Sequence, residues 1–320
     1  VVGHSMGEIA AAYIAQKISL QDAVKIICTR SKLMKTLSGK GKMGATDLSI
    51  EEANAILKGY EDKLSIAVIN SKNSIVLSGD NEALEEVFEK LEQQGKFNKL
   101  IKVDVASHSP QMDSILSALK ENLHTVESKN SSIQFYSTVQ NKLIQAGELN
   151  ADYWCDNLRK PVQFGNAIQY ALQDKNVLFI EMSPHPTMLH AINENIEDSN
   201  CNAAVISSIV KDKNELIEFY TNYLSLFTLG YKLDFKNIYP TTDAFVVLPN
   251  YAWNKERYWF DTKPKYQQGS NVSKSITEEN FYEIDWLNIQ LTNTIQSKNI
   301  LLVKDTYGFY KTIEQQLVSQ

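Results

Sequence analysis

Cysteine is scarce, with three in 320 residues: Cys28, Cys155 and Cys201. They are odd in number, far apart and without CxxC or Cys/His ligand spacing, so neither a disulfide framework nor a bound metal is expected. Long apolar runs are also lacking: no stretch approaches the roughly 20 residues that a bilayer span requires, and no basic-then-apolar leader opens the chain. Positive charge is in deficit, with 32 Lys+Arg against 38 Asp+Glu and a net charge of -6. Such a field repels phosphates, so neither nucleic acid nor an anionic membrane surface is an expected partner. The expected compartment is the cytoplasm. What remains is 43% hydrophobic, enough to bury a core as one to three globular domains and to exclude a mainly disordered chain.

Val1-Val2 resembles the end of a buried strand with no initiator Met before it, and Asn299–Val303 begins a strand pattern near the other end. The sequence is therefore expected to be a piece of a larger polypeptide. Between these ends, Glu8–Ala15 reads as an Ala-rich helix, and Ser19-Leu20-Gln21-Asp22 caps a second helix running to about Leu37. After Gly39-Lys40-Gly41-Lys42 the apolar period changes repeatedly: strand 42–46, helix 49–58, strands 64–70 and 73–78, helix 80–94, strand 98–105. The order βαββαβ is that of a ferredoxin-like unit and looks inserted between elements of another pattern. A helix over 110–123, a strand at 133–139, a helix near 162–173 and a strand at 177–180 then alternate as in an α/β layer. A long helix over 214–229 carries Phe219, Tyr220, Tyr223 and Phe227, read as core filling. Polar residues 261–280 have the composition of a linker, with a further domain after it.

Gly3-His4-Ser5-Met6-Gly7 follows the opening strand and begins a helix, the context of a G-x-S-x-G nucleophile elbow. Small residues on both sides permit the sharp turn. Ser5 then stands at a helix N-terminus, where the backbone N–H of Met6 can face a developing oxyanion. A serine nucleophile needs a base. His4 adjoins the serine and cannot easily fold back onto its hydroxyl, and His124 and His190 occupy ordinary helical positions. His108 ends an apolar alternation and precedes Ser109-Pro110, an N-cap followed by proline at N1. A helix N-terminus favours the neutral imidazole that a resting base must be; the alternative is an uninvolved strand-end histidine. Arg30 sits on the edge of an apolar stripe near Ile27 and Met34. It either snorkels to solvent or binds an anion bidentately.

These residues resemble the acyltransferase domain of modular (type I) polyketide synthases over about 1–262. GHSMGE at 3–8 matches that family's GHSxGE, and Arg30 and His108 stand 25 and 103 residues beyond Ser5, as they do there. GKM at 41–43, VLSG at 76–79, FYSTV at 135–139, YWCDNLRKPVQF at 153–164 and EMSPHPTML at 181–189 are similar too, and LPNYAWNKERYWF at 248–260 resembles the linker that follows the domain. The resemblance implies an α/β-hydrolase-like large subdomain, 1–38 and 105–212, with the ferredoxin-like small subdomain inserted at 39–104. Residues 213–262 would end the acyltransferase and form its linker, 263–280 a flexible linker, and 281–320 the start of a ketoreductase structural subdomain, on the strength of FYEIDW at 281–286.

The resemblance further implies that Ser5 is acylated by an acyl-CoA, that His108 takes and returns its proton, oriented by a backbone carbonyl, and that Arg30 holds the free carboxylate of a malonyl-type unit. The acyl group would pass to the phosphopantetheine of an acyl carrier protein. No cofactor is expected within the chain, NADPH being left to the downstream ketoreductase, and a linked ketosynthase is expected upstream. His185 is expected as a loop residue beside the active site. A GQGSQ-like loop that precedes the elbow in the family has no match here. In Val105-Ala106-Ser107-His108, Ser107 stands where the family has Phe with malonyl units and Ser with an α-methyl branch, so methylmalonyl is favoured over malonyl, although Val105 fits neither pattern. The rival readings are a serine hydrolase or thioesterase, which would place an acid and then its histidine late in the chain, and a degenerate docking domain, which has no need of Ser5, His108 and Arg30 together.

Overall fold

Short polar side chains start the helices by occupying backbone N–H groups that no helical carbonyl reaches. Ser19 accepts from the Asp22 N–H, Asp80, Asn150 and Asn214 accept from the N–H groups of Ala83, Tyr153 and Ile217, and Ser49 forms a reciprocal capping box with Glu52. The structure, a computed structural model, describes residues 1–174, 176–235, 247, 249–253 and 256. Helices α1 (Gly7–Ile14) and α2 (Leu20–Met34) follow the elbow. Then come β1 (Gly41–Thr46), α3 (Ile50–Ile56), β2 (Leu64–Ser71), β3 (Ser74–Asp80), α4 (Asn81–Gln93) and β4 (Asn98–Ile101). The remainder runs α5 (Asp113–Asn122), β5 (Tyr136–Ser137), β6 (Lys142–Leu143), α6 (Ala151–Arg159), α7 (Phe164–Ala171), β7 (Val177–Glu181), α8 (Leu189–Ser199), β8 (Ala203–Ser207) and α9 (Glu215–Thr228).

The mixed α/β class is as the sequence indicates. The strands β1 to β4 form an antiparallel sheet in the order β2-β3-β1-β4, the arrangement of a ferredoxin-like βαββαβ unit. Along β3 both of its faces are buried, whereas the edge strand β4 is largely exposed. On β3, Ile75 and Leu77 pack with Leu84, Val87 and Phe88 of α4, while the intervening Val76 turns to Val162, Phe164 and Ile168 of the α7 region. Backbone bonds across that second face, from the Ile69 N–H to the Val162 carbonyl and from the Val162 N–H to the Ala67 carbonyl, both 2.8 Å, tie the unit to the rest of the chain. A separate core gathers α1, α2, α5 and α6 around Ile26, Met112, Leu119, Trp154 and Leu158.

Several sequence expectations need correction. The strand expected to reach residue 105 ends at Ile101. Beneath it Gly41 packs so closely on Ala106 that an added Cβ would come within 2.4 Å of the alanine Cβ, so the chain there dips under the sheet and leaves the ladder. The opening strand is reduced to one parallel bridge, Val2 to Tyr136, and the strand expected at 133–139 pairs only at Tyr136 and Ser137. Among the described residues, parallel pairing between named strands is confined to β7 and β8. Helices α6 and α8 and strands β6 and β8 lie where the sequence reading placed nothing. Helix α9 buries none of its residues, and Phe219, Tyr220 and Phe227 are exposed rather than core; Phe219 and Tyr223 instead stack on each other one turn apart, at 6.3 Å.

Residues Val1–Thr241 make one compact unit and Thr242–Gln320 a second. In the second, Tyr251 and Trp253 meet edge to face at 4.9 Å. The linker expected at 263–280, the ketoreductase segment at 281–320 and most of the motif at 248–260 lie outside the described residues. Among those described, no helix is long and apolar enough to cross a membrane.

Gly44 on β1 faces α4 so closely that a Cβ there would stand 2.1 Å from the Phe88 ring. Gly44→Ala is therefore expected to destabilise the protein by about 1–3 kcal/mol, as overpacking does. Urea unfolding checks this: adding Phe88→Leu should recover part of the loss, whereas a double variant that simply sums the two single losses would show that the ring is not what requires glycine.

Candidate active site

The elbow forms because the chain reverses within two residues. Ser5 has a left-handed backbone, φ 51°, and the Gly7 and Glu8 N–H groups donate back to the His4 and Ser5 carbonyls at 2.9 and 3.0 Å. A non-glycine residue held in this region carries strain of roughly 1–3 kcal/mol, which persists only where its surroundings over-determine it. Gly3 is required on steric grounds, since a Cβ would fall 2.3 Å from the Glu8 backbone, but a Cβ on Gly7 would meet nothing within 4 Å. The expectation that small residues are needed on both sides of the serine thus holds for Gly3 alone. Met6 caps α1 with its side chain exposed, and among the described residues no acceptor engages its backbone N–H.

His108 is also left-handed, φ 62°, and almost fully buried. It is held at three points. Its N–H donates to the Leu158 carbonyl (3.0 Å), its own carbonyl accepts from Ser65 Oγ of β2 (2.6 Å), and Nδ1 lies 2.9 Å from the Lys160 carbonyl. A carbonyl oxygen can only accept, so Nδ1 carries the proton and Nε2 presents a lone pair. Nε2 is 2.7 Å from Ser5 Oγ. Burial, then the neighbouring Arg30 charge, push the imidazole pKa down to about 3. Neutrality was expected from the adjoining helix N-terminus; burial is the larger cause, and the segment there is a short 3-10 turn, Pro110–Met112.

Arg30 does not snorkel: it is 4% exposed. Nη1 donates to Asn157 Oδ1 at 2.6 Å, Nη2 lies 3.4 Å from Ser5 Oγ, and Nε is buried with no partner. Burial lowers its pKa to about 10, opposed by the charge of Glu8. Ser5, Met6, Arg30, Met34, Val105 and Ser107 line one cleft of about 520 Å³. Of the six site residues expected from sequence, Ser5, Met6, Arg30, Val105 and Ser107 line this cleft, and His108 reaches it through its contact with Ser5 Oγ. The remaining histidines stand apart. His4 Nε2 is 3.0 Å from Asn70 Oδ1 with the ring edge on Phe164, and His124 and His190 are exposed. His185, expected beside the site, is exposed and does not line the cleft.

Sequence reasoning missed the polar layer underneath. Glu8, with no solvent exposure, accepts from the Thr138 N–H (2.6 Å) and Oγ1 (2.9 Å) at Oε1, and from Tyr153 Oη and Asn157 Nδ2 (both 2.7 Å) at Oε2. Burial raises its pKa and these donors oppose the shift. A signal existed: Tyr153, Trp154, Asn157 and Leu158 share the buried face of α6, and an amide in that apolar phase requires partners.

Chemically, the site presents a hydroxyl beside a neutral base, a free N–H and an under-satisfied buried cation. The sequence profile described as "Acyl transferase domain" matches residues 1–232. The chain is 34% identical over 286 residues to erythronolide synthase EryA3 of Saccharopolyspora erythraea, spanning 89% of this chain and 8% of that protein. It is 37% identical over 262 residues to polyketide synthase GfsE of Streptomyces halstedii, spanning 82% and 7%. Among solved structures, the acyltransferase domain from module 8 of the salinomycin polyketide synthase superposes with a TM-score of 0.72 at 32% identity, covering 74% of this chain and 56% of that one. A loading acyltransferase from the avermectin polyketide synthase gives 0.67 at 31%, covering 71% and 72%. The chain thus spans less than a tenth of either curated relative.

Because folding holds the His108 pKa near 3 against 6.5 for the free side chain, the unfolded chain binds the extra proton between those values. That contribution to stability falls as pH drops from about 6.5 toward 3. Urea midpoints at pH 4.5 and 7 should therefore differ more for the native protein than for His108→Gln. The raised Glu8 carboxyl has the opposite slope in both proteins and cancels in the comparison; equal pH sensitivity of the two would show that His108 is not held neutral by burial.

Proposed function

The chain belongs to the acyl transferase domain family, among the acyltransferase domains of polyketide synthases, and from that membership we propose that it loads a malonyl-type unit from coenzyme A onto a carrier protein. The observation that carries this reading is the contact of Ser5 Oγ with both His108 Nε2 and Arg30 Nη2, at 2.7 and 3.4 Å. Ser5 Oγ attacks the thioester carbonyl while Nε2 takes its proton. The Met6 N–H receives the oxyanion. Collapse breaks the C–S bond, and the coenzyme A thiol leaves with the proton held on His108. In the second half, the phosphopantetheine thiol of an acyl carrier protein gives its proton to Nε2 and attacks the Ser5 ester, and Oγ recovers that proton as it leaves. Arg30 holds the unit's free carboxylate throughout, with Nη2 and the unpartnered Nε as donors.

Acyltransferase domains of this family need no cofactor of their own; the phosphopantetheine belongs to the partner. A hydrolase of the α/β-hydrolase type would set an Asp or Glu behind its histidine, whereas here Nδ1 faces the Lys160 carbonyl. The linked ketosynthase and ketoreductase remain part of the proposal, the latter resting on FYEIDW at 281–286.

For the acyl unit, we favour methylmalonyl over malonyl. Ser107 and Val105 both line the cleft, and a serine leaves open the volume that a Phe would fill. One methyl group is worth only about 1–3 kcal/mol, so discrimination is expected to be partial.

Incubated with malonyl-type CoA, the full protein should gain an acyl mass that Ser5→Ala abolishes, and His108→Ala should slow its formation roughly 10²–10⁴-fold. Arg30→Ala should lower acylation by malonyl-type CoA while sparing acetyl-CoA; equal losses on both would make Arg30 structural. In competition between the two carboxylated CoAs, methylmalonyl should lead in the native protein and lose ground in Ser107→Phe, and a native preference for malonyl would overturn the Ser107 argument.

A further inference from the structure

We infer that Asn157, backed by Glu8, is a positioning residue that sets the guanidinium of Arg30 for its carboxylated substrate; the inference rests on the reading of Arg30 just given. A buried guanidinium needs a counter-charge, and an unpaired one is strongly destabilising. The carboxylate available is Glu8, itself without solvent exposure. Yet the two do not form a direct ion pair. Asn157, 1% exposed, stands between them: its Oδ1 accepts from Arg30 Nη1 at 2.6 Å and its Nδ2 donates to Glu8 Oε2 at 2.7 Å.

The spacer has a chemical consequence. A carboxylate facing arginine directly tends to take two parallel N–H donors, and those donors would then be lost to a ligand. An amide oxygen in that place engages Nη1 alone, leaving Nε without a partner and Nη2 with only the 3.4 Å approach to Ser5 Oγ. Charge is balanced at one remove while the binding edge of the fork stays free. No other side chain of this size serves: aspartate would set a second carboxylate against Glu8, and an apolar residue would strand Nη1.

The same amide refers the cation to the nucleophile. Asn157 Nδ2 also lies 3.2 Å from the Ser5 carbonyl, and Glu8 sits three residues beyond Ser5 in the first turn of α1. With Thr138 and Tyr153 fixing the other positions on the carboxylate, the place of Nη2 relative to Oγ is set by α1 and α6 together.

The test is a double-mutant cycle in the full protein, reading the rate of Ser5 acylation by malonyl-type CoA and by acetyl-CoA in Asn157→Ala, Arg30→Ala and the double variant. Asn157→Ala should cost roughly tenfold or more with the carboxylated CoA, mostly in KM, and little with acetyl-CoA, while in the Arg30→Ala background it should cost less than about threefold. Losses that multiply in the double variant, or that fall equally on both CoAs, overturn the inference, because Asn157 would then act on the elbow or the fold. Glu8→Gln, of the same shape, should show the same selective loss and serves if Asn157→Ala does not fold; an unchanged ratio of the two CoAs in Glu8→Gln removes Glu8 from the arrangement. If Arg30→Ala alone leaves that ratio unchanged, it is the carboxylate reading that fails, and the cycle still decides whether Asn157 acts through Arg30.

Discussion

Glu8 carries a carboxylate sealed from water in the first helical turn after Ser5, and four hydrogen bonds from Thr138, Tyr153 and Asn157 compensate it. Burying such a group without partners would cost several kcal/mol or neutralise it. The requirement to satisfy it draws the loop after β5 and helix α6 onto the base of the elbow. Asn157 and Lys160 belong to that helix and its C-cap, so the element that compensates the acid also brings the amide to Arg30 and the carbonyl to His108.

His108 is held from two sides. Leu158 and Lys160 fix its backbone and ring from α6, and Ser65 fixes its carbonyl from the ferredoxin-like sheet. That sheet is a structural partner of the site, since its second face is buried against α7 and the chain leaving β4 passes close to Gly41 on its way to His108. Both Ser5 and His108 occupy left-handed backbone. Two such residues facing each other at 2.7 Å place the strain in the cleft of the proposed site, with the surrounding hydrogen bonds over-determining it.

Much of this was legible in the chain. The caps at Ser19, Ser49 and Asp80 depend on neighbours three residues away, and β2 and β3 are short apolar runs separated by a polar Lys72-Asn73 turn; both are local physics. The elbow is local too, because GHSMG carries its own turn and helix start. Less legible were α6 and α8, whose buried Asn157 and Asn195 interrupt the apolar face and find partners only in the folded chain, and β4, which ends where Gly41 meets Ala106 across 65 residues. The aromatics of α9 were expected as core filling, yet the helix buries none of its residues, and Phe219 and Tyr223 stack on each other.

The sequence by itself determined the class of chemistry: a serine on a strand-to-helix turn, with a histidine and an arginine at spacings that resemble one family. Only tertiary structure decided how those groups work. It selected His108 as the histidine within reach of Ser5, assigned its tautomer through a carbonyl 52 residues away, and buried Arg30 instead of letting it reach solvent. It also revealed Asn157 between two opposite charges. The physical reason is range: caps, turns and periodicity act over three or four residues, whereas burial and hydrogen-bond satisfaction depend on which distant segments the cores bring together.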